Sequence, residues 1–565
     1  MKFEMFNLRK ILYTVGKDSL KSFLIFYVAP IIFITFFAVM FTGFLLFYLK
    51  IIDIHAFVLL MFAAPFVGVG AVVFAIYMQQ VSRKEDIEKN LATFITFLGT
   101  LATAKITYSE FFQRVADTEE YGEISREMKK LNDLAVHWKL GYAQACKVLA
   151  EVTTSKIFSR FLDRFSRAVE YGEDLSAYLL AEQDIMMMDI QIQYQQSVHT
   201  ISLITELFTS FVFSFSFLII FAIILPMFLG GSAQNYLIMM GVALFLFDFF
   251  FLLFAKKTLP GDKLTHGLKQ KSTDRNNLLM SIPIAVAPSI FLFLVLFFIR
   301  AFPLTLNIAI AFTPLIIIGY YSNLEESRIK RREELFTQFI TTLGEYASRH
   351  KGSLKPVIRR MATYDYKLLT QLVRELYIRL ATTGDVFRSW AFFAIESGSN
   401  IITKFTNIFI GSVYSGSDPK TVSSIISGNI NKLLEFRKLR TETASGSRGE
   451  LYGVFFGVAL TMFITVGVAD FVFGFFSKAA SGLETVQTIS FLSVSSLNVS
   501  LIYLLIVAIV VMHAAFSAIL IKMLDGGILY GATTHFVIML WITAASDIAV
   551  NSFFQKFFGG VVSTF

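Results

Sequence analysis

The sequence predicts an all-α polytopic membrane protein: about nine transmembrane helices and two cytoplasmic helical-bundle domains in a tandem repeat. Three observations carry this expectation. First, 55% of the 565 residues are hydrophobic and only 16% are charged, with 63 Phe and a mean hydropathy of +0.63. Soluble domains carry roughly 25% charge and keep their apolar runs short. Second, nine apolar runs approach the roughly 20 helical residues that a bilayer core of about 30 Å requires. Third, two polar segments between them are long enough to be domains. A disordered chain and an ordinary soluble enzyme are excluded. Cys146 is the one cysteine, which rules out an intrachain disulfide and a cysteine-based zinc or iron–sulfur centre. The net charge of +8 belongs to loops beside a membrane, not to a nucleic-acid surface.

Taken in order, a cytoplasmic segment (1–22) precedes a hairpin over 23–78, built from the runs 23–49 and 56–78. The first run lacks a small-residue cleavage site and reads as a retained anchor. The first cytoplasmic helical domain covers 79–206. Runs 207–229 and 236–255 form a second hairpin, followed by a basic loop at 256–277. Runs 278–299 and 304–321 form a third, and the second helical domain covers 322–450. Runs 451–476, 499–521 and 531–550 complete the set before a tail at 551–565. If the last run crosses, the carboxyl terminus lies outside; if it is interfacial, the terminus stays inside.

Lys and Arg assign the sides. The amino terminus carries Lys2, Arg9, Lys10, Lys17 and Lys21, and the 256–277 loop carries Lys256, Lys257, Lys263, Lys269, Lys271 and Arg275. The opposite turns hold only Lys50, Asp53 and Arg300. The amino terminus and both large domains are therefore expected in the cytoplasm, on a multi-pass protein of the cell membrane. Both domains read as helical. In the first, Leu91, Phe94, Ile95, Leu98 and Ala102 make one 3.6-period stripe, and Phe158, Phe161, Leu162, Phe165 and Val169 make another. Bundles of five or six helices suit each segment.

The two halves repeat. Phe94-Ile-Thr-Phe-Leu-Gly99 aligns with Phe339-Ile-Thr-Thr-Leu-Gly344, and Phe158, Phe161, Phe165 and Val169 align with Ile402, Phe405, Phe409 and Val413. Tyr171-Gly-Glu-Asp174 answers Tyr414-Ser-Gly-Ser-Asp418. The offset is about 245 residues throughout, and each copy has a hairpin on either side. Both copies face one side, so the relating axis runs along the membrane normal. The copies differ in charge: 14 basic and 19 acidic residues over 79–206, against 20 and 13 over 322–450.

On these residues and this layout the chain resembles the type II secretion system F-domain family of assembly platforms, over about 79–229 and 322–476. Two full copies, each preceded by a hairpin, look like the archaellum or archaeal type IV pilus version. The resemblance implies a non-enzymatic platform. A hexameric secretion ATPase would dock beneath the lobes, and pilin-like or archaellin subunits would enter a filament above.

A scan for chemistry agrees with a passive part. The sequence has no Gly-x-x-x-x-Gly-Lys-Ser/Thr loop, no His-Glu-x-x-His and no Gly-x-Ser-x-Gly elbow, and its seven His are scattered. No catalytic, metal or cofactor residue is therefore assigned. Asp248, Asp470 and Asp547, with His513, are the ionisable residues inside spans, where burying charge is costly. They read either as an ion path or as helix–helix hydrogen bonding. Arg328, Lys330, Arg331 and Arg332 follow a span and either fix topology beside lipid headgroups or dock a partner. Arg359 and Arg360, and Arg437, Lys438 and Arg440, are placed either on a solvated face or on an ATPase-docking surface. The acidic run Asp117, Glu119, Glu120, Glu123 and Glu127 has the same two readings, with a pairing to the basic second lobe and a weak divalent-cation site beside them. Gly453-x-x-x-Gly457 has the spacing for close helix approach and a homodimer. Residues 441–449, rich in Thr, Ser and Gly, read as a hinge between lobe and membrane.

A secondary transporter with large cytoplasmic domains is the competing reading, supported by the repeat, the intramembrane acids and the paired prolines Pro30 and Pro283, and Pro65 and Pro314. A membrane sensor or scaffold is a third. Asp248→Asn or Asp470→Asn should disable a transporter. Arg437→Glu with Lys438→Glu should abolish filaments if those residues dock the ATPase.

Overall fold

A computed structural model describes residues 54–481 and 499–564, apart from 105, 119, 230–232, 260, 262, 300–301 and 351–353, with a few positions between 28 and 40. Every regular element among the described residues is helical; Thr265 and Ser399 make an isolated antiparallel bridge. The helices are α1 (Ile54–Ala102), α2 (Tyr108–Asp117), α3 (Glu123–Val136), α4 (Tyr142–Val152), α5 (Lys156–Tyr171), α6 (Leu175–Leu229), α7 (Ala233–Thr258), α8 (Thr273–Ile299), α9 (Leu304–Phe312) and α10 (Ile316–Arg349). They continue as α11 (Leu354–Met361), α12 (Thr370–Thr382), α13 (Val386–Ser397), α14 (Asn400–Tyr414), α15 (Pro419–Ser481), α16 (Val499–Asp525) and α17 (Ala532–Thr564). Helices α2 to α6 begin at 108, 123, 142, 156 and 175; α11 to α15 begin at 354, 370, 386, 400 and 419, about 245 residues later in each case.

Among the described residues, seven helical segments are long and apolar enough to cross a membrane, and they carry the third to ninth apolar runs. The last of them, Leu529–Phe557, is a full membrane length. The second run lies in the first half of α1, and the first run, 23–49, falls almost entirely outside the described residues. One reading is corrected. Residues 441–449 are not a loop hinge but part of the continuous helix α15, in which Ala444 and Ser447 are buried. Flanking helix and burial on one face override the turn-forming composition.

The chain divides into two compact units. Unit 1 is Met1–Ile190 with Ile408–Ile425, and unit 2 is Gln191–Asn407 with Ile426–Phe565. In unit 1 the second half of α1 meets α2 to α5 around an aromatic core. Phe94, Phe111, Phe112, Phe158, Phe161 and Phe165 are all fully buried. Burying each ring contributes roughly 2–3 kcal/mol, and offset pairs such as Phe112–Tyr142, with centroids 4.3 Å apart, add to this. Side chains start two of these helices: Thr107 accepts from Glu110 N, and Ser155 from Phe158 N. The start of α3 is capped from α1 instead, by Asp86 Oδ2 accepting from Glu123 N at 2.7 Å. Gly122 permits this, because it has φ +61° and a Cβ there would sit 2.3 Å from the same oxygen.

In unit 2, α10 and α13 build a second aromatic core from Phe336, Phe339, Trp390 and Phe393. The apolar helices α6, α7, α15 and α16 share a separate core that includes Ile201, Phe208, Leu237, Phe455, Ile506 and Ala514.

The acidic run of unit 1 is divided between the α2–α3 connection and the inner face of α3. Asp117 and Glu120 are exposed, Glu119 lies outside the described residues, and Glu123 and Glu127 are buried. Glu127 accepts from Thr153 Oγ1 at 2.8 Å, yet burial pushes its carboxyl up to about 7. A folded value above the ordinary 4.5 favours the protonated form. That stabilisation is complete below the unfolded value and is lost as pH rises through about 7. The bundle is expected to lose up to about 3 kcal/mol from this group between about pH 5 and pH 8. In Glu127→Gln that loss should vanish. Hydrogen exchange of α3 and α4 in the full chain, followed across this range, checks it.

Candidate functional site: a buried ionic joint

Helix α10 leaves the apolar segment α9 through a 3-10 turn at Thr313–Leu315, where Pro314 interrupts the hydrogen-bond ladder. On its next turns the inward face is polar. Ser322, Glu325, Glu326 and Glu333, at helical spacing around Ile329, are all buried. Each carboxylate left alone would cost several kcal/mol. Each is met by a cation from elsewhere in unit 2.

Glu326 is the centre. It accepts from Lys522 Nζ of α16 at 2.8 Å, from Lys330 Nζ at 2.8 Å and from Ile528 N at 3.3 Å. Lys522 is only 6% exposed, so this pair is desolvated on both sides. The α16–α17 turn wraps around it through Gly526 and Gly527, both at φ +78°. A Cβ on Gly527 would stand 2.4 Å from Glu326 Oε2, and one on Gly526 would stand 2.9 Å from Arg440 Cζ. Only glycine supplies that backbone and that space. Arg440 of α15 donates to the carbonyls of Leu524 at 3.0 Å and Met523 at 2.7 Å. It thus satisfies orphan acceptors and complements the negative end of the α16 dipole. Arg448 reaches Asp525 at 3.3 Å.

Further along α10, the fully buried Glu333 receives Arg437 of α15 and the Ser399 hydroxyl. Glu325 lies 3.5 Å from Arg275, and Asp274, in the first turn of α8, holds both Arg328 and Arg332. Three helices that carry membrane-capable segments are thereby fastened to α10.

This distributes the basic residues singled out by sequence. Arg328, Lys330, Arg332, Arg437 and Arg440 converge in the joint. Arg331, Arg359, Arg360 and Lys438 are exposed and stand apart from it. Arg360 lies 5.0 Å over the Tyr346 ring, and Lys438 is 3.9 Å from Glu442. Because Arg437 holds a buried carboxylate, reversing its charge breaks the fold locally and does not isolate a docking effect. Sequence reading missed the acids of α10, Asp274, Lys522 and the Gly526–Gly527 turn. The signal that was present is Glu325, Glu326 and Glu333 on one helical face, with Asp525-Gly-Gly directly after an apolar run.

The acids inside the apolar helices separate. Asp547 of α17 accepts from Thr305 at 2.6 Å, Tyr503 at 2.7 Å and Asn551 at 2.8 Å, a saturated helix–helix junction. Asp248 pairs with His513 at 2.8 Å, and the imidazole stacks on Phe208 with centroids 5.7 Å apart. Asp470 is exposed on α15. Gly453 and Gly457 face open space within the chain. Among the described residues no three His, Cys, Asp or Glu side chains converge as for a metal ion.

The family model for the type II secretion system (T2SS), protein F, matches residues 94–223, beginning at Phe94 within the α1 stripe. Over 481 residues the chain is 32% identical to flagella accessory protein J of Methanocaldococcus jannaschii, covering 83% of this chain and 85% of that protein. The chain belongs to the flagella accessory protein J family. Flagella accessory protein J of Methanococcus voltae is 29% identical over 499 residues, 86% of this chain and 88% of that one. No solved structure matches. This family member is a multi-pass membrane protein by its apolar helices and its relatives.

Removing one partner of a buried pair leaves the other uncompensated, at a cost of about 3 kcal/mol. Glu326→Ala is expected to destabilise unit 2 by that order, and Glu326→Leu with Lys522→Met to recover most of the loss. Arg331→Ala, an exposed pair with Glu334, should change stability by less than about 0.5 kcal/mol. Thermal unfolding of the three variants in nanodiscs checks the ranking.

Proposed function

We propose that this protein is a non-enzymatic platform in the cell membrane that couples a separate, hexameric cytoplasmic ATPase to assembly, and where the filament turns to rotation, of an archaellum or type IV pilus-like filament. Its relatives are flagella accessory proteins, and its residues 94–223 match the T2SS protein F family model. The observation that carries the reading is the ionic joint. A platform must pass force from its lobes to its membrane helices, and α10 is clamped to α16 through Glu326, to α15 through Glu333 and to α8 through Arg332 and Asp274.

In this reading nine spans start from a cytoplasmic amino terminus, and two helical domains repeat in tandem over 79–206 and 322–450. The recurrence of helix starts at about 245 residues supports that repeat. Both domains face the ATPase. Exposed Arg359, Arg360, Arg331 and Lys438 meet its acidic surface, giving fast, salt-sensitive docking. The cations of the joint hold the lobe that presents them. Pilin-like or archaellin subunits and lipid meet the apolar helices. A transporter reading has one specific support, the Asp248–His513 pair, and would place substrate passage there.

Arg359→Glu with Arg360→Glu should weaken ATPase docking roughly tenfold or more at low salt and leave the thermal stability of unit 2 unchanged. The readout is ATP hydrolysis by the co-purifying ATPase with and without added chain. Unchanged stimulation would remove these residues from the interface. Loss of solute or ion transport in Asp248→Asn, with Arg359→Glu and Arg360→Glu without effect on it, would favour the transporter.

A further inference from the structure

The first unit holds a cleft unrelated to the joint. It measures ≈ 970 Å³ and opens between the polar end of the α1 apolar run, the last turn of α4 and the first turns of α5. Four cations line it: Lys84, Lys147, Lys156 and Arg160. Lys84 is drawn to Glu88 at 3.8 Å and Arg160 to Asp189 at 3.3 Å. Among the described residues, Lys147 and Lys156 make no ion pair. Two acids share the lining, but Asp163 is taken by Arg167 at 2.8 Å, which leaves Glu151 alone against the lysines. The Thr154 hydroxyl, also in the lining, is buried without a hydrogen-bond partner. Ser155 starts α5 beside it, so the positive end of that 16-residue helix adds to the field.

The position of the cleft identifies the anion. Tyr77, one residue before the end of the 56–78 apolar run, forms its edge together with Val81. Lys84 lies about 9 Å beyond that end along the helix, and helical side chains lean back toward the amino terminus, here toward the apolar segment. An apolar rim with a tyrosine, backed by cations at headgroup depth, matches a lipid that enters from the bilayer. An acidic protein surface would leave that rim uncovered.

We propose that this cleft seats the phosphate headgroup of an anionic phospholipid, with Lys147 and Lys156 as its principal cations and the Thr154 hydroxyl as a donor. The lipid fills the space between α1 and the bundle and ties the first unit to the membrane surface. The inference rests on the reading that 56–78 crosses the bilayer.

The test is hydrogen exchange on the full chain in phosphatidylcholine nanodiscs, with and without one third phosphatidylglycerol. Exchange over 147–160 should slow in the anionic discs, and Lys147→Gln with Lys156→Gln should weaken the effect roughly thirtyfold. Lys129→Gln, an exposed lysine of α3 outside the cleft, should retain it. Protection of Phe161 and Phe165 in the double variant verifies that the bundle is folded. Equal protection by inorganic phosphate in pure phosphatidylcholine would make the ligand a soluble anion and overturn the lipid assignment. The absence of any anion effect, or an effect untouched by the double variant, would overturn the site. Protection of 56–78 in both disc types reports the crossing separately.

Discussion

A carboxylate buried at the foot of α10 holds one cation of its own helix, Lys330, on one oxygen and needs another from elsewhere for the second, and much of unit 2 follows from that need. Glu326 draws Lys522 from the end of α16, nearly two hundred residues later, and the chain must then turn tightly around both groups. Gly526 and Gly527 are the residues that allow the turn to close on the pair. Arg440 completes the arrangement by binding the last carbonyls of α16, which neither the turn nor the carboxylate satisfies. Such a pair adds little net stability over an apolar packing of the same shape. What it contributes is uniqueness, because any other register of α10 against α16 strands a buried charge.

The same logic recurs at smaller scale where polar groups enter apolar helices. Asp547 collects three donors from α9, α16 and α17, and so specifies how those helices meet. His513 stacks between Phe208 and Phe455 while it holds Asp248, joining α6, α7, α15 and α16 at one point. Unit 1 is built differently. Its core is phenylalanine, α2 and α5 start on local caps, and burial favours the neutral form of its one strongly shifted carboxyl, Glu127. One unit is organised by charges that must find each other, the other by surface that must leave water.

What the sequence made legible was whatever repeats locally. The stripes through Phe94, Phe158 and Phe339 all lie on buried faces, and apolar length alone located seven of the helices able to cross a membrane. The joint was illegible for the opposite reason. Asp274 and Arg332, Glu333 and Arg437, and Glu326 and Lys522 are separated by tens to hundreds of residues, and basic residues beside a span look like ordinary topology signals. Composition also misled at 441–449, where serine, threonine and glycine suggested a hinge but packing on one face and the Arg440 and Arg448 anchors accompany a continuous run of helix. The acidic run from Asp117 to Glu127 is close in sequence yet divided between solvent and core, because Asp117 ends α2 and Glu120 sits in the turn, whereas Glu123 and Glu127, one helical turn apart, share the buried face of α3.

The central claim is that the Glu326–Lys522 pair makes α10 and its bundle one rigid body with the membrane-proximal turn after α16. Pulsed electron-spin distance measurement tests this most directly. Cys146 is buried, and burial pushes its thiol up to about 12, so labels go selectively to introduced cysteines. Exposed Ile378 on α12 and Leu529 beyond α16 are suitable positions, as Ile378→Cys and Leu529→Cys. With the native pair, the full chain in nanodiscs should give one narrow distance distribution, and Lys522→Met should broaden it or split it. Equal widths in both proteins would contradict the account and move the coupling elsewhere in the joint.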